Sequence, residues 1–151
     1  MNLTPGLWIG RGSYLSRGQS LTTPIELDFT VTAEDIGSHI KGIQRMKSGN
    51  DEFSFSLWVT PNDYGTYELA AHFGEWRLTG TAKLDSLPHV GLMWSESNIA
   101  QVSFALFDIR GGLGLRGFAR TPEELVTWEV VLTEKQRSVK SDNVVSLRPR
   151  R

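Results

Sequence analysis

The stretch Gly6-Leu7-Trp8-Ile9-Gly10-Arg11-Gly12-Ser13-Tyr14-Leu15 carries the pattern that decides the fold. Every second residue in it is an aromatic residue or a glycine, namely Trp8, Gly10, Gly12 and Tyr14. On a β-strand these positions share one face. Glycines inside a strand cost stability, and they let another main chain or a ligand approach closely. We therefore expect a bent first strand on which the rest of the chain closes.

Alternating patterns of the same kind recur along the chain. They occupy residues 23–32, 38–47, 53–59, 64–73, 76–84, 90–94, 99–109, 113–120 and 125–133. Turn-forming residues separate these runs, and no segment shows an apolar stripe at helical period. About ten strands with short connections predict an all-β fold, a single closed antiparallel up-and-down β-barrel between about residues 5 and 133.

Length and charge predict one folded domain followed by a tail. The 151 residues are 39% hydrophobic and 22% charged, an ordinary balance for a globular protein. The alternation stops at Ser138, which predicts a barrel domain over residues 1–137 and a disordered basic tail over 138–151. The tail carries a net charge of +3 and the remainder −4, and an acidic body does not indicate a nucleic-acid-binding domain.

The sequence also limits where the protein is expected to be located and which chemistry its side chains can perform. The chain has no cysteine, which excludes disulfides, thiolate metal ligands and cysteine nucleophiles. No apolar run approaches the roughly 20 residues of a membrane-spanning helix, and residues 1–5 do not resemble a secretory signal. We expect a cytoplasmic protein without nucleic-acid or membrane partners.

Six large aromatic residues fall on strand faces predicted to point inward: Trp8, Tyr14, Tyr67, Trp76, Trp94 and Trp128. Glycines share the predicted inward side at Gly10, Gly12, Gly42 and Gly80, and a ten-stranded barrel is wide enough that side chains need not fill it. Binding pockets usually combine an apolar wall with a few polar groups. The six aromatic residues are therefore predicted to line a ligand cavity. The alternative is that they fill a packed core.

Asp108 continues the inward apolar pattern of residues 102–106. A carboxylate at the end of a barrel could orient a ligand or act as a base with a raised pKa. The alternative is an ion pair with Arg110 or Arg116 at the rim. No nucleophile elbow, phosphate-binding loop or zinc-protease motif is present, so no catalytic residue is assigned.

Two features indicate a surface for a partner. Trp58 lies on the polar side of its predicted strand, beside Ser54 and Ser56, where an exposed tryptophan suggests a contact. Residues 99–109 are apolar on both faces, so a partner, such as a second copy of the chain, or the N-terminal residues could cover this strand. The sequence therefore leaves a homodimer open.

The opening motif resembles that of a known superfamily. Gly6-x-Trp8 on the first strand of a meandering barrel resembles the calycins, which include lipocalins and fatty-acid-binding proteins. The longer run Gly6-x-Trp8-x-Gly10-x-Gly12 is similar to the first strand of the nitrobindin-type branch, a group of small ten-stranded barrels. The sequence lacks the helical pair of fatty-acid-binding proteins and the helix of a typical lipocalin. The resemblance implies a barrel interior that holds an apolar small molecule.

In nitrobindins that molecule is haem, ligated by a histidine near the C-terminal strands. The histidines of this chain are His39, His72 and His89, so none lies near the C-terminal strands, where the haem ligand of nitrobindins is found. The resemblance therefore does not carry haem over, and the cofactor stays unassigned. Three scattered histidines do not predict a metal site either. We expect His72 to point outward and His89 to lie in a turn.

Three functions follow from these patterns. The first is binding of an apolar or aromatic small molecule inside the barrel. The second is an enzyme, an isomerase, cyclase or lyase, that holds a hydrophobic substrate in the barrel beside one or two acid/base groups. The third is a protein-interaction module with a filled barrel. An open lumen would favour the first two functions over the third.

Overall fold

A computed structural model describes residues 3–46 and 51–135, which form ten β-strands. The strands are β1 (Gly6–Ser16), β2 (Thr23–Ala33), β3 (Ser38–Met46), β4 (Glu52–Pro61), β5 (Tyr67–Phe73), β6 (Trp76–Lys83), β7 (His89–Ser95), β8 (Gln101–Ile109), β9 (Gly112–Arg120) and β10 (Leu125–Glu134). Within these ranges no helix is long and apolar enough to cross a membrane. The tail predicted over 138–151 lies outside the described residues.

The strands form one closed antiparallel barrel with next-neighbour order. Each strand pairs with the one before it, and β1 pairs with β10 to close the sheet. Short connections favour pairing of successive strands, and closure leaves no free edge. Beyond the β1–β10 ladder, the Lys135 amide donates a hydrogen bond of 2.8 Å to the Leu7 carbonyl. The predicted fold class, an all-β closed up-and-down barrel, is confirmed.

The inner face of the barrel forms the core, and its two ends differ. We call the end at which β1, β3, β5, β7 and β9 begin the closed end, because most of its inward side chains are buried. They include Trp8, Val31, Val59, Leu69, Leu113 and Leu132. We call the opposite end the mouth, because inward aromatic side chains there are only partly buried. The alternation seen in the sequence therefore gives one inner face with two different ends.

Several glycines on the inner face are required by the approach of a neighbouring strand. A Cβ atom on Gly12 would lie 1.9 Å from the carbonyl oxygen of Glu129, and one on Gly80 would lie 2.0 Å from that of Leu92. These positions let the strands bend tightly, as the first-strand pattern predicts. They do not enlarge the lumen, because the missing Cβ would overlap main chain. Gly12 and Gly80 therefore do not indicate a cavity, and the prediction is wrong at these two positions.

The sequence assigned β7 to the wrong phase. Trp94 pairs with Thr79 and Ser95 pairs with Leu78, so Trp94 points outward and Ser95 points inward. His89 is the first residue of β7 and points into the barrel, where it is 1% exposed. The predictions that Trp94 faces inward and that His89 lies in a turn are both wrong. The reason is that the outer face of β7 carries Val90, Leu92 and Trp94, whereas Met93 is the one large apolar residue on its inner face.

Candidate functional site

A row of five aromatic residues and one glycine crosses the inner face of six strands. Its members are consecutive register partners from β1 to β6: Trp8, Phe29, Gly42, Phe55, Phe73 and Trp76. The ring centroids of Trp8 and Phe29 lie 6.4 Å apart, with an interplanar angle of 8°. Those of Phe55 and Phe73 lie 5.7 Å apart at 17°. Offset-stacked pairs at such distances are favourable contacts, so the row forms a continuous aromatic wall.

Gly42 joins the two halves of this aromatic row. It stands between Phe29 and Phe55 in the register, and the two rings meet with centroids 6.3 Å apart. A Cβ atom at Gly42 would lie 2.4 Å from the Phe29 Cβ and 2.2 Å from the Asp28 carbonyl oxygen. A larger residue would therefore separate the rings and push β2 away.

The aromatic row climbs along the barrel because the strands are staggered. It begins at Trp8, the third residue of β1 at the closed end, and finishes at Trp76, the first residue of β6 at the mouth. One series of register partners therefore runs from one end of the barrel to the other.

Residues just outside the strands help to seal the closed end. The Trp8 Nε1 donates a hydrogen bond of 2.8 Å to the carbonyl oxygen of Thr4, and Leu3 packs against the core. Leu84 follows β6 and is buried at the same end. His89 is also buried at this end, and neither of its ring nitrogens has a hydrogen-bond partner in the described residues. The closed end is thus packed and contains one buried titratable group.

The mouth has a different character. Tyr14 and Trp128 are direct register partners across the β1–β10 seam, and both are partly buried. Phe73 and Trp76 are partners in the β5–β6 hairpin and are also partly buried, while Phe53 on β4 is 44% exposed. All five side chains lie on the inner face. Inward aromatic surface that stays accessible at one end is what a ligand entrance requires.

The aromatic residues predicted to border one cavity lie at different places. Tyr14, Trp76 and Trp128 are on the inner face at the mouth, as the alternation predicts. Trp8 and Tyr67 are on the inner face at the closed end, where Trp8 belongs to the packed core. Five of the six predicted side chains therefore face inward, and three of them share the mouth. Their role in ligand binding stays a prediction.

Asp108 lies at the closed end, far from the mouth along β8. It pairs with Leu113, which confirms the predicted phase, and its side chain is exposed. Arg116, one of the two partners suggested by the sequence, forms an ion pair of 2.7 Å with Glu129. Asp108 is therefore separated from the aromatic residues of the mouth.

Two titratable groups at the closed end have shifted pKa values. Burial lowers the pKa of His89, and the polar main chain at Ser86 and the carboxylates of Asp108 and Asp85 act in the opposite direction. Burial also raises the pKa of Tyr67, helped by a hydrogen bond of 3.2 Å from its hydroxyl to Asp85. Both shifts favour the neutral form of the side chain.

Sequence reasoning missed Phe29, Phe55 and Phe73 as members of a site. Each had been assigned to an inward apolar face, which is correct, but the sequence does not say which residue on the next strand lies opposite. The row becomes visible only through strand register. A repeated Phe at matching distances from the predicted turns was the one available signal.

The described residues offer no ready metal site, since no group of three or more His, Cys, Asp or Glu side chains is placed to hold an ion. No protein-family model, no curated protein and no solved structure matches the chain. Function must therefore be argued from the barrel itself.

Proposed function

We propose that the barrel binds an apolar or aromatic small molecule, which enters at the mouth and packs against the aromatic row. One observation carries the proposal: inward aromatic residues such as Tyr14 and Trp128 remain partly exposed at one end, whereas most inward side chains at the other end are buried. Burial of apolar ligand surface gains roughly 25 cal/mol for each Å², which is enough for micromolar affinity with a drug-sized ligand.

The resemblance to calycins supports this proposal. The ten-stranded meander with Trp8 on its first strand is the architecture that the nitrobindin-type branch implies. Haem is not part of the proposal, because the histidines do not fit it. His39 and His72 lie on the outer face in contact with Trp58, and His89 is buried at the closed end.

The test is a titration with Nile red, an apolar dye whose emission rises in an apolar environment. We expect saturable binding in the micromolar range and quenching of tryptophan fluorescence. Trp128→Ala removes an aromatic wall of the mouth and should weaken binding about tenfold, which corresponds to about 1.4 kcal/mol. Trp94→Ala is the matched control, since it removes the same side chain from the outer face and should leave the affinity unchanged.

A second variant tests the route of entry. Val126 is an inward, partly buried residue at the mouth, so Val126→Trp adds volume at the entrance without removing the aromatic row. We expect this variant to fold and to lose dye binding. The proposal would be contradicted if Trp128→Ala and Trp94→Ala bound Nile red with equal affinity and Val126→Trp bound it normally.

A further inference from the structure

The outer face of the barrel carries a hollow between two tryptophans. It has a volume of about 370 Å³ and is lined by Trp58, Thr60, Glu68, Leu69, Ala70, Thr79, Gly80 and Trp94. Trp58, Ala70, Thr79 and Trp94 are consecutive register partners on β4, β5, β6 and β7. Neighbouring strands lie about 4.8 Å apart, so the two tryptophans stand roughly 14 Å apart with two small residues between them.

Trp58 is held in place by two histidines. The His39 ring stacks on the indole with centroids 4.6 Å apart and an interplanar angle of 9°. The His72 ring contacts the same indole in a T-shaped arrangement at 5.5 Å. Trp58 nevertheless remains 36% exposed and lines the hollow. A fixed and exposed tryptophan gives a binding surface whose ordering cost is already met in the free protein.

The charge of the hollow is negative. Glu68 is the charged residue of the lining, which contains no lysine or arginine. Among the described residues Glu68 forms no ion pair. The other polar side chains that line the hollow are those of Thr60 and Thr79, which carry hydroxyl groups. Two indoles beside one unpaired carboxylate match the requirements of an organic cation.

We propose that this hollow binds an alkylated ammonium group, with the indoles of Trp58 and Trp94 as its walls and the carboxylate of Glu68 as its counter-charge. A bare ammonium is strongly hydrated, and on binding here it would exchange that hydration for one carboxylate and two hydroxyl groups at a largely apolar wall. A quaternary ammonium donates no hydrogen bond and is attracted to aromatic faces, which this lining offers. The proposal does not depend on ligand binding in the lumen, because these residues lie on the outer side of the sheet.

The same cation occurs on free small molecules and on trimethylated lysine side chains. We therefore test choline and a short peptide containing trimethyllysine in separate calorimetric titrations of the whole chain. Choline binding alone identifies a small-molecule site, and tighter binding of the peptide identifies a polypeptide partner. Failure of both to bind overturns the proposal.

The uncharged carbon analogue of choline, 3,3-dimethylbutan-1-ol, has the same shape and separates charge from apolar contact. We expect it to bind about two- to thirty-fold more weakly than choline, the range of a cation–π contribution. Equal affinity would show an apolar site and would contradict the proposal. Binding of a neutral saccharide such as maltose in place of choline would contradict it as well.

Substitutions locate the site. Glu68→Gln should weaken choline binding several-fold, whereas Glu123→Gln, which removes a carboxylate from the β9–β10 connection, should have no effect. Trp94→Ala should abolish binding, and Trp58→Phe should weaken it; Trp128→Ala at the mouth is the aromatic control. Far-ultraviolet circular dichroism checks the fold of each variant. Unchanged choline affinity in both Glu68→Gln and Trp58→Phe would overturn the assignment.

Discussion

The two ends of the barrel are built from the same ten strands and the same alternation, yet one is packed and the other is accessible. At the closed end Leu113 is 5% exposed and Trp8 and His89 are buried, whereas at the mouth Tyr14 and Trp128 are only partly buried. The alternation of a strand decides which face is inside. Residues beyond the strands, such as Leu3 and Leu84, help to decide whether an end is sealed.

This difference has a consequence for stability and function. A buried aliphatic side chain stabilises the fold by its full transfer free energy and by packing, while a partly buried one contributes less. The closed end should therefore carry most of the stability, and the mouth should tolerate change that affects ligand binding.

The largest expected effect comes from Leu113→Ala at the closed end. We expect a loss of about 3 kcal/mol in the free energy of unfolding, because a fully buried leucine leaves a cavity. Leu115→Ala is the matched control two residues further along the same face of β9, where the side chain is partly buried, and should cost about 1 kcal/mol. Urea denaturation measures both, and equal losses would contradict the expectation that the fully buried leucine nearer the closed end contributes more to stability.

Gly42→Ala tests the aromatic row that connects the two ends. The added Cβ would overlap the Asp28 carbonyl and the Phe29 side chain, so we expect a loss of about 2 kcal/mol from overpacking. Gly10→Ala is the control, because its Cβ would meet side-chain atoms of Leu132 and Val130 at 2.9 and 3.0 Å, which can move. The melting temperature should fall further for Gly42→Ala, and the reverse order would contradict the assigned register.

His89 gives the closed end a pH dependence. The unfolded side chain titrates with a pKa of about 6.5, and burial lowers the pKa in the folded state. As the pH falls below about 6.5 the unfolded state binds the proton first, so the free energy of unfolding declines by at most about 1.4 kcal/mol per pH unit until the folded pKa is passed.

The His89→Phe variant lacks this titratable side chain, and all its other titratable groups are the same as in the wild-type protein. Urea denaturation of both proteins at about pH 7.5 and about pH 5 isolates the contribution of His89 on either side of its ordinary pKa. We expect the wild-type protein to lose more stability than the variant between the two conditions. Parallel losses would mean that His89 is accessible to protons in the folded state.

The smallest effect is expected at the rim of the closed end. Tyr67→Phe removes the hydrogen bond to Asp85, which is exposed, and should cost about 0.5 kcal/mol near neutral pH. Because the pKa of Tyr67 is raised in the folded state, the wild-type protein should lose additional stability above about pH 10, where the unfolded tyrosine ionises first. Thermal denaturation at both conditions measures the difference, and an identical alkaline profile for the variant would contradict it.

Much of the fold could be read from the sequence, because period-two alternation is a local property. The inward phases of Trp8 on β1, Tyr67 on β5, Trp76 on β6 and Trp128 on β10 are all as predicted. The phase of β7 was wrong, since its outer face carries Val90, Leu92 and Trp94, and its inner face includes His89 and Ser95. Hydrophobicity alone cannot assign a strand whose apolar residues point outward.

The candidate site was less predictable, because it depends on register. The contact of Phe29 with Phe55 across Gly42 joins residues on three strands, and nothing within any one strand specifies which residues lie opposite each other. The outer hollow has the same origin, since Trp58 and Trp94 belong to strands that are three apart in the sheet. Such pairs become visible only when the register between successive strands is known.

The β1–β10 seam also bears on how the protein is made. Every other ladder joins successive strands, so it can form as the chain leaves the ribosome, but β1 must wait for β10, more than a hundred residues later. Until then β1 is an unpaired edge, which is a template for intermolecular association. Gly10 and Gly12 lower the intrinsic tendency of this strand to pair. The glycines that let the finished strand bend should therefore also protect the nascent chain from aggregation.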